Sequence, residues 1–268
     1  GSGIVAQMAL NILKGFSFAD REDVETYHKQ IEAMKLAFAD GMRYIADPAH
    51  MKASVKTLLS DEFAALRRGE VGETARRPEP ADPNCCGTVY LCAADGEGNM
   101  ISYIQSNYMG FGSGLVVPGT GFALHNRGKN FSLDEAMENC LGPGKRPYHT
   151  ILPAFLSKDG RPVGPFGVMG AFMQPQGHVQ VVMNTVDFAM NPQDALNAPR
   201  WQWTGGMTIE VEPEFPRDKA EALRELGHDI VYARDSMTFG RGQIIWRMED
   251  GTLAGGTEPR CDGAVAAW

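Results

Sequence analysis

The sequence predicts an α+β fold in which helices cover antiparallel sheets. Three observations carry this. Apolar residues recur at helical spacing through roughly the first 70 residues. After the proline-rich stretch RRPEPADPN the pattern changes to alternation broken by tight glycine turns. Beyond that point strands and helices come in groups, with no strict strand–helix alternation, which points to segregated layers.

Taken in order, Val24, Tyr27, Ile31, Met34, Phe38, Met42 and Ile45 fall on one helix face. Asp47-Pro48 is expected to stop that helix, because a residue before proline is pushed out of the α region. A shorter helix is expected over residues 60–68, followed by the exposed linker of residues 76–84. TVYLCAAD and MISYIQSN then read as a hairpin, with Gly98-Asn99 supplying the turn. GLVVPGTGFALHN is extended chain with glycine turns, and ILPAFLSKDGRPVGPFGVMG is a second hairpin around Lys158-Asp159-Gly160. Residues 175–190 are expected as one helix with Val179, Val182, Met183, Val186 and Met190 inward, and residues 192–197 as another, ended by Pro199. MTIEVEP is a strand, DKAEALRELG a helix capped by Gly227, and DIVYA, QIIWRM and TLAGGTEP are closing strands.

Composition excludes several functions. A formal charge of −8 with scattered Lys and Arg argues against a nucleic-acid partner, which needs clustered cations. No apolar run approaches the roughly 18 to 20 residues that a membrane span needs, so no membrane partner is expected. The five cysteines show no zinc spacing and no secreted disulfide framework, which favours a reducing, cytoplasmic setting. The opening GSGIVAQMALNIL lacks the basic leader of a signal peptide and reads as the middle of a longer chain.

Few motifs carry chemistry. GFGSG lacks the surrounding strand–turn–helix unit of a dinucleotide site, and the Lys of GPGKRP is not followed by Ser or Thr. The six histidines are dispersed, with His28 expected at the surface and His178 at a helix start, so neither a metal nor a cofactor is implied. Thr88 remains. It opens a core strand directly after an exposed linker, preceded by Gly87. A threonine freed at the N-terminus is its own catalytic unit, since an α-amine titrating near 7.7–8.0 can take the hydroxyl proton. Such a site needs a supporting hydroxyl or amide, for which Ser106 and Asn107 on the neighbouring strand are candidates. It also needs N–H donors for an oxyanion, for which Gly170-Ala171 entering the following helix are candidates.

The segments TVYLCAADGEGN, FGSGLVVPGTGFALHNRGKNFS, PGKRPYHTILPAF, Gly170-Ala171, NAPRWQ and TEPRCDG resemble, in order and spacing, the γ-glutamyltranspeptidase family, most nearly its acylase-like branch. The resemblance implies a self-cleaving N-terminal-nucleophile hydrolase with an αββα four-layer fold. Residues 1–87 would be the end of the large subunit and residues 88–268 the small, catalytic subunit. The rest of the large subunit would be a partner chain, with a dimer of such pairs as a further assembly. Cleavage between Gly87 and Thr88 would free the nucleophile, Ser106 would support it, and Gly170 and Ala171 would form the oxyanion hole. No cofactor is implied, and the substrate would be a small amide or peptide.

Departures from the family pattern fall on the substrate-binding positions. The asparagine two places after the supporting hydroxyl is Tyr108 here, with Asn107 one place earlier. The substrate-amine contacts are Arg127 in place of an amide and Asn130 in place of an acid, and His149-Thr150 replace paired serines. Losing a carboxylate partner costs an ammonium about 1.5–3 kcal/mol of charge-assisted hydrogen bonding. Three readings stay open: a γ-glutamyl transferase or hydrolase, an acylase for another amide of the oxamate or β-lactam side-chain type, and an unprocessed binding or assembly module.

Overall fold

The computed structural model describes residues 1–78 and 88–268. Gly87, Cys85, Cys86 and most of the proline-rich linker lie outside the described residues.

Helix α1 (Gly3–Leu13) packs against α2 (Val24–Tyr44). α2 starts where extended Asp23 accepts the Glu25 N–H on its side chain, satisfying one of the helix's orphan donors. Its expected face is inward: Tyr27, Ile31, Met34 and Phe38 are all buried. The helix ends at Tyr44, ahead of Asp47-Pro48, because Ile45 already turns extended. Asp47 instead caps a short 3-10 turn, Pro48–His50, by accepting the Ala49 N–H. Two short helices follow, α3 (Val55–Leu58) and α4 (Asp61–Arg68), each capped by a serine hydroxyl, from Ser54 and Ser60.

Strands β1 (Thr88–Ala94) and β2 (Met100–Ser106) form the expected antiparallel hairpin, with Thr88 opposite Ser106. The Asp95 carboxylate pins its turn by accepting the Glu97 and Asn99 N–H groups, while Gly98 takes φ +93°. A four-stranded antiparallel sheet runs β3 (Ala154–Lys158), β4 (Arg161–Met169), β8 (Arg241–Arg247), β9 (Leu253–Thr257). Alternation along β4 assigns its two faces. Phe166 and Val168 pack with Val181 and Leu196 of α5 (Met173–Val182) and α6 (Pro192–Asn197). Gly167 and Met169 face Tyr90 of the hairpin, and a Cβ on Gly167 would lie 2.5 Å from the Tyr90 ring. Helices, sheet and hairpin are thus stacked as the α, β and β layers of an αββα sandwich.

A third sheet holds β5 (Trp201–Gly205), β6 (Thr208–Val211) and β7 (Asp229–Tyr232). β6 and β7 run parallel, so α7 (Arg217–Glu225) serves as the crossover that such a pair requires. The largest core joins α1 and α2 to this sheet, through Ile31, Met34, Phe38, Trp201, Trp203 and Ile209. Among the described residues no helix is long and apolar enough to cross a membrane.

The structure corrects the sequence in three places. The helix expected over residues 175–190 starts at Met173 and gives way after Val182 to a π-helical turn, Met183–Asp187. Thr185 drives its hydroxyl back onto the Val181 and Val182 carbonyls, and the widened turn moves Val186 outward, where it is 57% exposed. His178 is a buried mid-helix residue, with Nδ1 2.6 Å from the Gln174 carbonyl and its ring against Phe166; burial pulls its pKa down to about 4. His28 is buried as well, hydrogen-bonded at 2.8 Å to His228.

Candidate active site

Thr88 is buried at the head of β1, and its Oγ1 donates to Ser106 Oγ across the hairpin at 2.9 Å. Ser106 Oγ also accepts the Tyr108 N–H at 2.8 Å. That second bond holds Tyr108 at φ +78°, a left-handed conformation of the kind that costs a non-glycine residue of order 1–3 kcal/mol. The ring is thereby turned inward and buried. The Arg127 guanidinium lies over it, 5.2 Å from the centroid. Arg127 is 1% exposed; its Nη1 donates to Thr150 Oγ1 at 2.9 Å, whereas Nη2 is buried with no hydrogen-bond partner among the described residues.

On the other side, Gly170 (φ +143°) and Ala171 (φ +50°) turn the chain from β4 into α5. Their carbonyls accept the Met173 and Gln174 N–H groups, at 2.8 and 3.2 Å. The N–H groups leading a helix have no partner within it and carry the positive end of its dipole. Gly170 must be glycine, since a Cβ would stand 3.0 Å from Gly240 Cα. Thr88 lies two residues before Tyr90 and Ala171 two after Met169, and Tyr90 packs on Met169. A cavity of about 140 Å³ is lined by Tyr108, Asn130, Tyr148 and Phe172, the residue after Ala171, with the Tyr148 and Phe172 rings stacked. The Tyr148 hydroxyl is buried without a partner among the described residues, and burial raises its pKa.

Thr88, Ser106, Tyr108, Arg127 and Thr150 therefore form one contact chain, and Asn130, Tyr108 and the residue after Ala171 share one cavity. Other expected residues play lesser parts. Asn130 spends its side-chain amide on the Tyr148 carbonyl at 3.0 Å. Asn107 contributes its backbone, accepting the Asn126 N–H at 3.2 Å. His149 adjoins Thr150, and burial together with the Arg127 charge lowers its pKa to about 4, leaving it neutral at pH 7. Sequence reasoning missed Tyr148 and Phe172. Tyr148 sits inside the PYHT segment, but nothing in that string says where its hydroxyl points.

The metal-ligating side chains His28, Glu32 and His228 gather beside β7, their donor atoms within 4.8 Å of one another. Among the described residues His228 Nδ1 has no hydrogen-bond partner, while the other donors are engaged. The two imidazoles bond each other, Glu32 pairs with buried Lys35 at 2.6 Å, and the ammonium would repel a cation.

A threonine heading a hairpin strand that lies on a second sheet, itself backed by helices, is the layering of the N-terminal-nucleophile hydrolases. The chain belongs to the gamma-glutamyltranspeptidase family, whose model matches residues 1–268. It is 36% identical to the glutathione hydrolase-like YwrD proenzyme of Bacillus subtilis, over 98% of this chain and 51% of that protein. It is 35% identical to the oxamate amidohydrolase proenzyme of Klebsiella pneumoniae, over 99% of this chain and 52% of that protein. The structure of cephalosporin acylase from Bacillus halodurans superposes with a TM-score of 0.95 at 64% identity, covering all of this chain and 49% of that one. The chain thus spans about half the length of the relatives it matches.

Proposed function

We propose that the full-length protein is a self-processing amide hydrolase with Thr88 as nucleophile, acting on an amide whose acyl group carries a carboxylate and no α-amine. The observation that carries the reading is the bond from Thr88 Oγ1 to Ser106 Oγ at the head of β1. In this reading the Gly87–Thr88 bond is cut, residues 1–87 end the large subunit and residues 88–268 are the small one. The remainder of the large subunit, for which the relatives' doubled length leaves room, is the partner chain. An apolar row on the outer face of the hairpin, Val89, Leu91, Ile101 and Tyr103, is 44–64% exposed and would take a further layer.

In the mature enzyme the Thr88 amine takes the proton from Oγ1, which attacks the amide carbonyl. Negative charge on the carbonyl oxygen meets the N–H groups of Gly170 and Ala171. The C–N bond breaks as the proton passes to the leaving amine, and an ester on Thr88 remains. Water, deprotonated by the same amine, attacks the ester and releases the acid. Denaturing mass spectrometry of the full-length protein tests the first step, and a single unbroken chain refutes it.

Two observations favour an acid over a γ-glutamyl group. The Arg127 Nη2 is a buried cationic donor with no partner among the described residues, and would repel an ammonium. Asn130 is neutral and already bonded to the Tyr148 carbonyl. Hydrogen bonds to charged groups are worth about 1.5–3 kcal/mol, or about 10- to 150-fold in kcat/KM. The oxamate amidohydrolase among the relatives acts on an amide of this class. Comparing kcat/KM for a γ-glutamyl anilide and a dicarboxylic monoamide decides it, and a tenfold advantage for the γ-glutamyl compound refutes the reading.

A further inference from the structure

Two quoted segments, NAPRWQ and TEPRCDG, have no part in the chemistry above, yet they meet in one buried ion network. The side chains of Arg200 and Glu258 are 2% and 0% exposed. Charges removed from water destabilise a fold unless geometry and hydrogen bonds compensate them. Here the guanidinium reaches one stretch of chain both directly and through Glu258. Arg200 Nη1 donates to the carbonyls of Phe239 and Gly240, at 2.9 and 3.2 Å. Its Nη2 donates to Glu258 Oε2 at 2.9 Å, and that same oxygen accepts the Gly242 N–H at 2.7 Å. The pair therefore grips residues 239–242 through two carbonyls and one N–H. A second pair braces the first: Arg260 binds Glu258 Oε1 and the Glu212 carboxylate, and Glu212 Oε2 accepts the Arg200 backbone N–H at 2.6 Å.

The gripped stretch abuts the turn that leads α5. Val168 and Met169 pair with Gly242 and Arg241, so Gly240 stands against the end of β4. Gly240 is at φ +77°, and a Cβ there would lie 2.6 Å from the Met169 carbonyl. A Cβ on Gly170 would strike Gly240 Cα at 3.0 Å. Gly240 and Gly170 are thus backbone against backbone, with no side chain to absorb a shift.

We propose that Arg200 and Glu258 are positioning residues for the Gly170-Ala171 N–H groups, acting through Gly240. The proposal rests on the reading of that turn as the oxyanion site. A donor displaced by a fraction of an ångström loses its advantage only where charge develops, so the effect belongs in transition-state binding.

The test uses the full-length enzyme. Lysine keeps a charge for Glu258 but cannot reach a carboxylate and two carbonyls at once. Arg200→Lys is expected to lower kcat about 10- to 100-fold, short of the roughly 10²–10³ seen when a donor is removed outright, with KM within about threefold. Affinity for a boronic acid carrying the preferred acyl group, which adds to Thr88 Oγ1 as a tetrahedral adduct, should fall by the same factor. Affinity for the product acid should stay unchanged. Glu258→Gln keeps an oxygen for Gly242 and should cost about 2- to 10-fold in both kcat and boronate affinity, which also serves if Arg200→Lys does not mature. Variants that mature with boronate affinity within twofold of wild type overturn the proposal, as does an equal loss of boronate and product binding. A crystal structure of the wild-type boronate adduct separates the two claims. If its oxygen makes no contact with Gly170 or Ala171, the oxyanion reading fails; if it does and the variants are silent, the positioning claim alone fails.

Discussion

Ser106→Ala removes one oxygen that accepts two hydrogen bonds, and the two losses should appear in different measurements. The bond from Thr88 Oγ1, 2.9 Å long, is neutral. Such bonds contribute about 0.5–1.5 kcal/mol, so losing the orientation of the proposed nucleophile should lower kcat about 2- to 12-fold. The bond from the Tyr108 N–H, 2.8 Å, supports a buried residue at φ +78°. Leaving a buried donor without that acceptor costs about 1–3 kcal/mol, which should appear in urea unfolding of the mature protein. Single-turnover kinetics, the rate of chain cleavage on denaturing gels and the urea midpoint are read on one preparation. A drop in stability with kcat unchanged within twofold would show that Ser106 supports only the Tyr108 loop. A loss of activity beyond about 10⁴-fold, with an electrophilic probe attached to Ser106, would make Ser106 the nucleophile and refute the assignment.

Thr88→Ala should yield one unbroken full-length chain with no turnover, since in the proposed function one hydroxyl serves both steps; any cleaved product on an intact-mass spectrum contradicts this. His178 titrates near 4 when folded and 6.5 when unfolded, so below pH 6.5 the unfolded chain binds the extra proton. Its stabilising effect is complete above pH 6.5 and is lost as pH falls towards 4, at up to about 1.4 kcal/mol per pH unit; urea midpoints for His178→Gln should fall less steeply over that window than wild type. Gly167→Ala sets a Cβ 2.5 Å from the Tyr90 ring and should destabilise by about 1–3 kcal/mol, measured by denaturant unfolding. Lys35→Met strands the buried Glu32 carboxylate and should cost about 3–5 kcal/mol, most of which Lys35→Met with Glu32→Leu should recover.

The hairpin was legible because its information is local. Asp95 to Asn99 carry their own turn, and strand alternation then sets Thr88 opposite Ser106. Helix α6 was legible for the same reason, with Asn191 as cap and Pro192 in its first turn. Burial of His28 was not, because its partner His228 lies 200 residues away. Val186 was misplaced because helical periodicity assumes a constant pitch, which the π turn after Val182 breaks. At the site, residue types suggested the roles proposed for Thr88, Ser106, Gly170 and Ala171. They did not tell which side chains were already spent. Asn130 and Arg127 read alike as substrate contacts, but folding engages the first with the Tyr148 carbonyl and leaves the second a donor.

The main core has a consequence for the thermodynamics of the molecule should the proposed cut be made. Side chains from α1 and α2 share one apolar cluster with Trp201, Trp203, Ile209 and Val211, from the far side of the Gly87–Thr88 junction. Neither piece can give up that cluster alone without exposing it to water. A cut at the junction therefore changes the molecularity of unfolding while leaving the folded packing intact. The uncut chain melts in a first-order equilibrium whose midpoint is independent of protein concentration. The cut form must reassemble from two strands of chain, so its midpoint should rise with concentration, as it does for any associating pair. For the cut form dilution would then be a destabilising agent that does not act on the uncut chain.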